Sequence, residues 1–261
     1  MIPAERQKLI LTSLRERGIF SLAELVDLLG VSHMTVRRDV QKLEAEGKLN
    51  TVAGGISLPE RISFEPSHVK KAQTAQAEKL AIGACAANMV PPSSVVYLDA
   101  GTTVLEIARK LAPRDDLTIV TNDFVIAGLL SAESRCKLIH TGGLVERENQ
   151  SGVGEIAAHT ITGFNFDIAF TSTSSFGLRG VSTPTEVKVT VKRAIMRSAA
   201  RNVLVTDSSK YGLVAAYNAV PLDALTDLVT DSGLPDSARS AIANKGVTLH
   251  IVNIHDQGST T

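Results

Sequence analysis

The sequence has few of the features that would place it outside the cell or in a membrane. It contains 2 cysteines, and both Cys85 and Cys136 stand in apolar runs without metal-ligand spacing. This pattern predicts reduced core residues and excludes a disulfide framework or a zinc site. No apolar run approaches the roughly twenty residues of a membrane span, and the start lacks the pattern of a signal peptide. We expect a soluble, cytoplasmic protein without a membrane partner.

The chain also lacks a surplus of either charge. Lys plus Arg and Asp plus Glu number 27 each, so no general basic field indicates nucleic-acid binding. Residues 1–57 carry eight basic and seven acidic side chains, which leaves a charge of +1. Any DNA binding by one copy is therefore expected to be weak, and a homo-oligomer, either a dimer or a tetramer, is predicted to be needed.

Capping signals and apolar spacing predict two short helices between residues 21 and 43. Ser21 is a typical N-cap for the first helix, Gly30 is a typical stop, and Ser32 caps the second helix. The second helix has an apolar stripe on one face. That stripe consists of Val36, Val40 and Leu43. The opposite face is then free to contact a partner.

This free face carries side chains that suit double-stranded DNA. A guanidinium can contact guanine O6 and N7 bidentately, and cations at the groove edge pair with phosphate. We predict that Arg38 and Gln41 contact base edges. Backbone or base-methyl contacts are predicted for Ser32, Thr35, Arg37 and Lys42. The alternative is a merely solvated helical face, but the preceding helix and two short strands around Gly54-Gly55 favour a winged helix-turn-helix.

The pattern changes twice after the wing. Residues 58–75 lose periodicity and contain two prolines, which predicts a linker. From residue 76, short Val/Ile/Leu runs alternate with helical patterns, as in an α/β domain with a mostly parallel sheet. We therefore predict a DNA-binding head at residues 1–57 and an α/β body at residues 76–254, followed by a frayed tail from His255. Strands are predicted at residues 95–99, 117–121, 137–141, 168–170, 202–207, 227–230 and 247–252.

Polar residues follow the predicted strands, and ligands of open parallel sheets bind beyond the strands' carboxyl ends. Asp99-Ala100-Gly101-Thr102-Thr103 leads into a helix, so free amides, a glycine and two hydroxyls are predicted to seat a single phosphate. The alternative is an ordinary Thr-capped helix without a ligand. The spacing and the Gly-Lys-Ser/Thr ending of a P-loop are missing, so no nucleoside triphosphate with magnesium is expected. Later strands end in residues suited to the same ligand: Asn122, Gly143, Asp207 and Lys210.

Both halves resemble bacterial transcriptional regulators of the DeoR family. In the head, the family pattern is matched by Ser32, Thr35, Val36, Arg37, Arg38, Asp39, Val40 and Leu43. In the body, matching stretches lie at residues 98–103, 120–122, 141–143, 191–194 and 207–212. The resemblance implies an N-terminal winged helix-turn-helix and a C-terminal sensor domain akin to ribose-5-phosphate isomerase and CoA-transferase-like folds.

The resemblance also implies an effector site. Gly101, Thr102 and Thr103 would hold a phosphate with Lys210 nearby. Asp99, Asn122 and Glu186 would face hydroxyl or carbonyl groups, and Lys192 would be a counter-charge. Two departures from the family pattern matter. Residues 50–53 lack the usual Arg and His of the wing, and Ser172 and Ser175 replace glycines, which predicts a narrower, more hydroxylated rim.

We therefore predict a DNA-binding repressor of a carbohydrate or sugar-acid catabolic operon, released from operator DNA by a phosphorylated metabolite. The alternative is a sugar-phosphate isomerase-like enzyme with a DNA-binding head. Isomerisation needs a base, and only Glu186 and Asp207 are candidates. Neither belongs to a motif that requires catalysis. The sequence therefore predicts no catalytic residue, and its histidines lack metal spacing, so neither a metal nor a cofactor is expected.

Overall fold

The computed structural model describes residues 1–52 and 54–254. Ala53 of the wing and the tail predicted from His255 lie outside the described residues. The head contains three helices and a small antiparallel sheet in the order β1-β3-β2. Its elements are α1 (Pro3–Arg17), β1 (Ile19–Phe20), α2 (Leu22–Leu29), α3 (His33–Ala45), β2 (Asn50–Val52) and β3 (Gly55–Ser57).

The predicted helix signals of the head are confirmed. The Ser21 hydroxyl accepts from the Glu24 amide at 3.2 Å, and the Glu24 carboxylate accepts from the Ser21 amide at 2.8 Å. These reciprocal bonds satisfy amides that the start of α2 leaves without helical partners. Gly30 ends the helix with a φ of 62°, a left-handed conformation that favours glycine. The helices enclose a small core that includes Ile10, Leu14, Leu25, Val36, Leu43 and Ile56.

The remaining elements alternate strands with helices. In chain order, the first are β4 (Glu60–Arg61), α4 (His68–Ala72), α5 (Gln76–Ala87), β5 (Val95–Leu98), α6 (Thr102–Leu111), β6 (Thr118–Thr121), α7 (Phe124–Glu133), β7 (Lys137–His140), β8 (Leu144–Glu146), β9 (Ser151–Val153), α8 (Gly154–Thr162) and β10 (Ile168–Thr171). Then follow β11 (Phe176–Gly177), β12 (Gly180–Thr183), α9 (Glu186–Ser198), β13 (Asn202–Val205), β14 (Leu213–Val214), β15 (Tyr217–Val220), β16 (Asp227–Asp231), α10 (Asp236–Ala243) and β17 (Thr248–Val252).

A seven-stranded sheet in the order β17-β16-β13-β10-β5-β6-β7 organises the body, and all its neighbouring strands are parallel. These are the seven strands expected from the sequence, so the mixed α/β fold class is confirmed. Apolar clusters cover both faces of the sheet. Burial on two faces explains why the strands are continuous Val/Ile/Leu runs rather than alternating patterns.

The order of the strands creates a switch point at β5. From β5 the chain adds β6 and β7 on one side, and it then returns to add β10, β13, β16 and β17 on the other. The connections on the two sides diverge there, which opens a crevice at the carboxyl ends of β5 and β10. A ligand site is therefore expected next to residues 99–101 and 172–174.

The segment predicted as a linker is partly regular and attached to the body. Strand β4 pairs with β14, and the Ile62 amide extends this pairing to the Val214 carbonyl at 3.0 Å. Helix α4 is tied to the turn between β8 and β9, because the His68 amide donates to the Glu148 carbonyl at 2.8 Å. These contacts join segments far apart in sequence, so the local pattern of residues 58–75 did not indicate them.

The short strands of the body were also missed by sequence. The hairpin β8-β9 and the small sheet β11-β12-β15 consist of two to four residues per strand. Such strands are too short to show an alternating pattern. Cys85 and Cys136 are free thiols packed against the main core. No helix among the described residues is long and apolar enough to span a bilayer.

Candidate functional site

Helix α3 divides into a buried and an exposed face, as the sequence predicts. Val36, Val40 and Leu43 are buried. Ser32, Arg37, Arg38, Gln41 and Lys42 are exposed, and Thr35 is half-buried. The Ser32 hydroxyl accepts from the Thr35 amide at 3.3 Å and caps the helix. Two guanidinium groups, an ammonium and an amide therefore share one free surface of the head.

Two buried carboxylates hold α3 in place. Asp39 accepts from Arg6 Nε of α1 at 2.7 Å and from Gln7 Nε2 at 3.0 Å. Glu44 accepts from the Thr51 amide of the wing at 2.8 Å and from the Thr51 hydroxyl at 3.0 Å. Because both carboxylates are satisfied on the inner side, α3 is fixed against α1 and the wing while its outer face stays free.

The end of α3 is also attached to the body. The Tyr211 hydroxyl donates to Glu44 Oε1 at 3.2 Å, and Asn50 Nδ2 donates to the Gly212 carbonyl at 2.8 Å. Burial, together with the neighbouring Glu44 carboxylate, raises the pKa of Tyr211 well above its usual range. The phenol therefore stays a donor, and the loop after β13 contacts both α3 and the wing.

A polar cleft opens at the switch point of the sheet, and its free interior measures about 30 Å³. Its own side chains fill most of it, so a ligand larger than a few waters needs some of them to move. Its lining includes Glu65, Lys71, Asp99, Ala100, Asn122, Asn149, Ser151, Ser172, Thr173, Ser174, Thr183, Lys188 and Lys192. We call this space the cleft.

An ion pair spans the floor of the cleft. Lys192 Nζ donates to Asp99 Oδ2 at 2.9 Å and to the Ser172 carbonyl at 2.6 Å. The same carboxylate oxygen accepts from the Ser172 amide at 3.1 Å. Asn122 is fixed beside the pair, because its side-chain carbonyl accepts from the Ala100 amide at 3.0 Å. The structure thus brings Asp99, Asn122 and Lys192 together, as the sequence predicts.

The predicted phosphate seat lies beside the cleft rather than in its lining. Thr102 and Thr103 are buried at the start of α6. The Gly101 amide already donates to Asp123 Oδ2 at 3.1 Å, and burial raises the pKa of Asp123. A Cβ at Gly101 would lie 2.8 Å from Ser172 Cβ. The glycine therefore permits close packing of the chain itself, whether or not a ligand binds.

Three other predicted effector contacts lie outside the lining of the cleft. Gly143 follows the edge strand β7 and packs against Ala157, whose Cβ would be 2.9 Å from an added Cβ. Glu186 is exposed at the start of α9. Lys210 follows β13, with its Nζ 4.0 Å from Asp207 Oδ2. The expectation that ligands bind beyond the carboxyl ends of strands does not distinguish one strand from another. Only the strand ends next to the switch point meet in one crevice.

Sequence reasoning missed a second charged group in the cleft. Glu65 Oε1 lies 2.7 Å from Lys71 Nζ, and Glu65 Oε2 lies 2.5 Å from Lys188 Nζ. Lys188 also pairs with Glu146 at 2.9 Å. Burial would raise the pKa of Glu65, but the two ammonium groups lower it to about 2. Glu65 belongs to the predicted linker and no motif marks these residues, so only the fold reveals them.

Two hydroxyl groups of the cleft have no hydrogen-bond partner among the described residues. They are Ser151 Oγ and Thr183 Oγ1, on side chains that are 1% and 2% exposed. Buried polar groups are nearly always satisfied by protein, water or ligand. These hydroxyls are therefore suited to bind the polar groups of a guest molecule.

The two residues considered as a catalytic base do not line the cleft. Glu186 is exposed outside it. Asp207 is buried, accepts a hydrogen bond from the Ser209 hydroxyl, and faces Lys210. A base must reach the proton that it removes. The geometry therefore gives no support to isomerase chemistry at these residues.

Comparison with known proteins identifies both parts of the chain. Residues 6–61 match the family profile described as the DeoR-like helix-turn-helix domain, and residues 74–232 match the DeoR C-terminal sensor domain. An HTH-type transcriptional regulator of Haemophilus influenzae is 50% identical over 252 residues, covering 97% of this chain and 98% of that protein. Another regulator, from Escherichia coli K12, is 51% identical over 249 residues and covers 95% and 98%.

More distant relatives carry names that refer to their regulons. The glycerol-3-phosphate regulon repressor of Escherichia coli K12 is 28% identical over 252 residues, covering 96% of this chain and 100% of that protein. Among solved structures, ribose 5-phosphate isomerase A from Methanocaldococcus jannaschii is 17% identical, with a TM-score of 0.37 and coverage of 51% and 53%. The isomerase likeness is too weak to support an activity. The sequence relatives span nearly the whole chain, which therefore belongs to the DeoR family of transcriptional regulators.

Proposed function

We propose that this regulator is a cytoplasmic, homo-oligomeric repressor that binds operator DNA through α3 and is released by a phosphorylated sugar or sugar acid in the cleft. The observation that carries the proposal is the contact between the two halves. The loop after β13 belongs to the body, and its Tyr211 and Gly212 contact Glu44 and Asn50 of the head. A change in the body can thereby change the position of α3.

The cleft suits a small, anionic and hydroxylated ligand. Three ammonium groups line it, on Lys71, Lys188 and Lys192, against the two carboxylates of Glu65 and Asp99, and two unpartnered hydroxyls lie beside them. A phosphate can accept charge-assisted hydrogen bonds from such groups. A relative named as a glycerol-3-phosphate regulon repressor is consistent with a phosphorylated effector.

The proposal is tested with the full chain and a DNA site selected from a random library. We expect salt-sensitive, sequence-selective binding in fluorescence anisotropy. A panel of sugar phosphates and phosphorylated sugar acids should include one that weakens binding about 5- to 150-fold, the usual range of allosteric coupling. The unphosphorylated compounds serve as controls. A protein that prefers no DNA sequence would contradict the proposal.

Arg38→Ala is expected to weaken operator binding by about 1–3 kcal/mol and to relax base preference at one position of each half-site. The reason is the exposed position of Arg38 at the middle of α3. Arg135→Ala, which removes an exposed arginine of the body, is the matched control. Binding to a library of operator variants measures whether Arg38 contacts base edges. Unchanged base selectivity would exclude Arg38 from base contacts.

Replacing both Thr102 and Thr103 with alanine tests the phosphate seat that the sequence predicts. If the phosphate binds there, the double variant loses the effector response while DNA binding persists. The first turn of α6 adjoins Ala100, which lines the cleft, and helix N-termini favour phosphate. Anisotropy with and without the active sugar phosphate measures the response. A normal response of the double variant would exclude the start of α6 and leave the lysines of the cleft as the phosphate seat.

A further inference from the structure

The carboxylate of Glu65 occupies a place inside the cleft although its residue belongs to the segment that joins head and body. It lies between the ammonium groups of Lys71 and Lys188, at 2.7 and 2.5 Å. All three side chains are largely buried, with 13–16% of their surface exposed. A protein carboxylate therefore already fills a position between two cations of the cleft.

We propose that Glu65 is an internal substitute for the phosphate group of the effector, and that Lys71 and Lys188 bind that phosphate when Glu65 leaves. This inference rests on the proposed function and describes how ligand binding in the same cleft is regulated. A phosphate monoester carries more charge than a carboxylate and has three acceptor oxygens. It can therefore replace Glu65 between the two ammonium groups.

The lysines stay positioned without Glu65. Lys188 keeps Glu146, whose carboxylate is 2.9 Å from its Nζ, and Lys71 keeps a hydrogen bond to Asn149. The unpartnered hydroxyls of Ser151 and Thr183 lie in the same cleft and are available to the rest of the ligand. The cations and hydroxyls that would bind the ligand are therefore in place while Glu65 still occupies the cleft.

Release of Glu65 would loosen the segment that joins the head to the body. Strand β4 lies just before Glu65 and pairs with β14, which directly follows the Tyr211-Gly212 contact with the head. Because the carboxylate tethers this segment to the cleft, its displacement frees residues 62–67 to move, while α4 stays in place through Lys71. Anion binding in the body is thereby converted into a change in the attachment of α3.

The test uses the full chain without DNA and inorganic phosphate as the probe. Calorimetry measures phosphate affinity, and hydrogen exchange measures the protection of residues 62–67. Glu65→Gln removes the internal competitor, so phosphate should bind on the order of tenfold more tightly, as when a closed state is no longer competing. Glu60→Gln is the matched control, since Glu60 is an exposed carboxylate of the same segment. Lys188→Met should weaken binding on the order of tenfold.

Hydrogen exchange distinguishes displacement of the Glu65 carboxylate by phosphate from an ion pair that only stabilises the fold. In the unmodified protein, phosphate should increase exchange at residues 62–67. In Glu65→Gln, exchange should be high already, and phosphate should not increase it further. Phosphate binding without a change in the exchange of the unmodified protein would overturn the inference, as would failure of Glu65→Gln to bind phosphate. If the segment responds but no DNA is bound selectively, the proposed function fails while this inference stands.

Discussion

Lys192→Met is expected to abolish the effector response and to destabilise the body by about 3–5 kcal/mol, because it leaves a buried carboxylate without its cation. The Asp99 and Lys192 side chains are only 5% and 8% exposed, and the ammonium also donates to the Ser172 carbonyl. Methionine keeps the unbranched chain of lysine without its terminal ammonium, so the lost charge rather than a large cavity causes the change.

Urea unfolding followed by far-ultraviolet circular dichroism measures the cost of Lys192→Met. Lys210→Met is the control, since the Lys210 side chain is 26% exposed and its ammonium lies 4.0 Å from Asp207. The free energy of unfolding of that variant should fall by about 1 kcal/mol or less, as for partly solvated ion pairs. Adding Asp99→Asn to Lys192→Met should restore part of the stability. A single variant as stable as the control would show that the Asp99 carboxylate does not depend on Lys192.

Asp39→Ala is expected to destabilise the head by about 3–5 kcal/mol and so to prevent DNA binding, although Asp39 faces away from the exposed surface of α3. Its carboxylate is 6% exposed and pairs with Arg6, which is 12% exposed and would be left without its partner. Gln7 would lose an acceptor as well. Helix α3 would then be poorly fixed against α1.

Hydrogen exchange of the α1 and α3 amides measures the stability of the head within the full chain. Asp27→Ala removes an exposed acidic residue from α2 and should change stability by less than about 0.5 kcal/mol. Equal protection in the Asp39 and Asp27 variants would show that the ion pair with Arg6 does not stabilise the head. In that case the effect of Asp39 on DNA binding would have to be direct.

The two halves differ in how far their sequence predicts them. In the head, the caps Ser21 and Ser32, the stop at Gly30 and the apolar stripe of α3 act over a few residues. Local signals of this kind determine where a helix begins, ends and turns its apolar face. The apolar stripe of α3 also predicted which of its side chains are exposed. The contacts of these side chains with DNA stay a prediction.

The body was predicted strand by strand, but its site only in part. Asp99, Asn122 and Lys192 meet in the cleft as expected, whereas Gly143, Glu186 and Lys210 lie outside its lining. The missing members are Glu65, Lys71, Lys188, Ser151 and Thr183. They come from the predicted linker, a hairpin, a short strand and the first turn of α9, none of which follows a strand of the main sheet.

The sequence by itself determined the winged helix-turn-helix, the seven buried strands and the resemblance to DeoR regulators, because caps, apolar spacing and motifs are properties of neighbouring residues. Only the tertiary structure decided which strand ends share a crevice, which lysines are already paired, and where the body contacts α3. Glu65 and Lys188 are 123 positions apart, and Glu44 and Tyr211 are 167 apart. Contacts at such separations depend on how distant segments pack together, and local chemistry does not specify that packing.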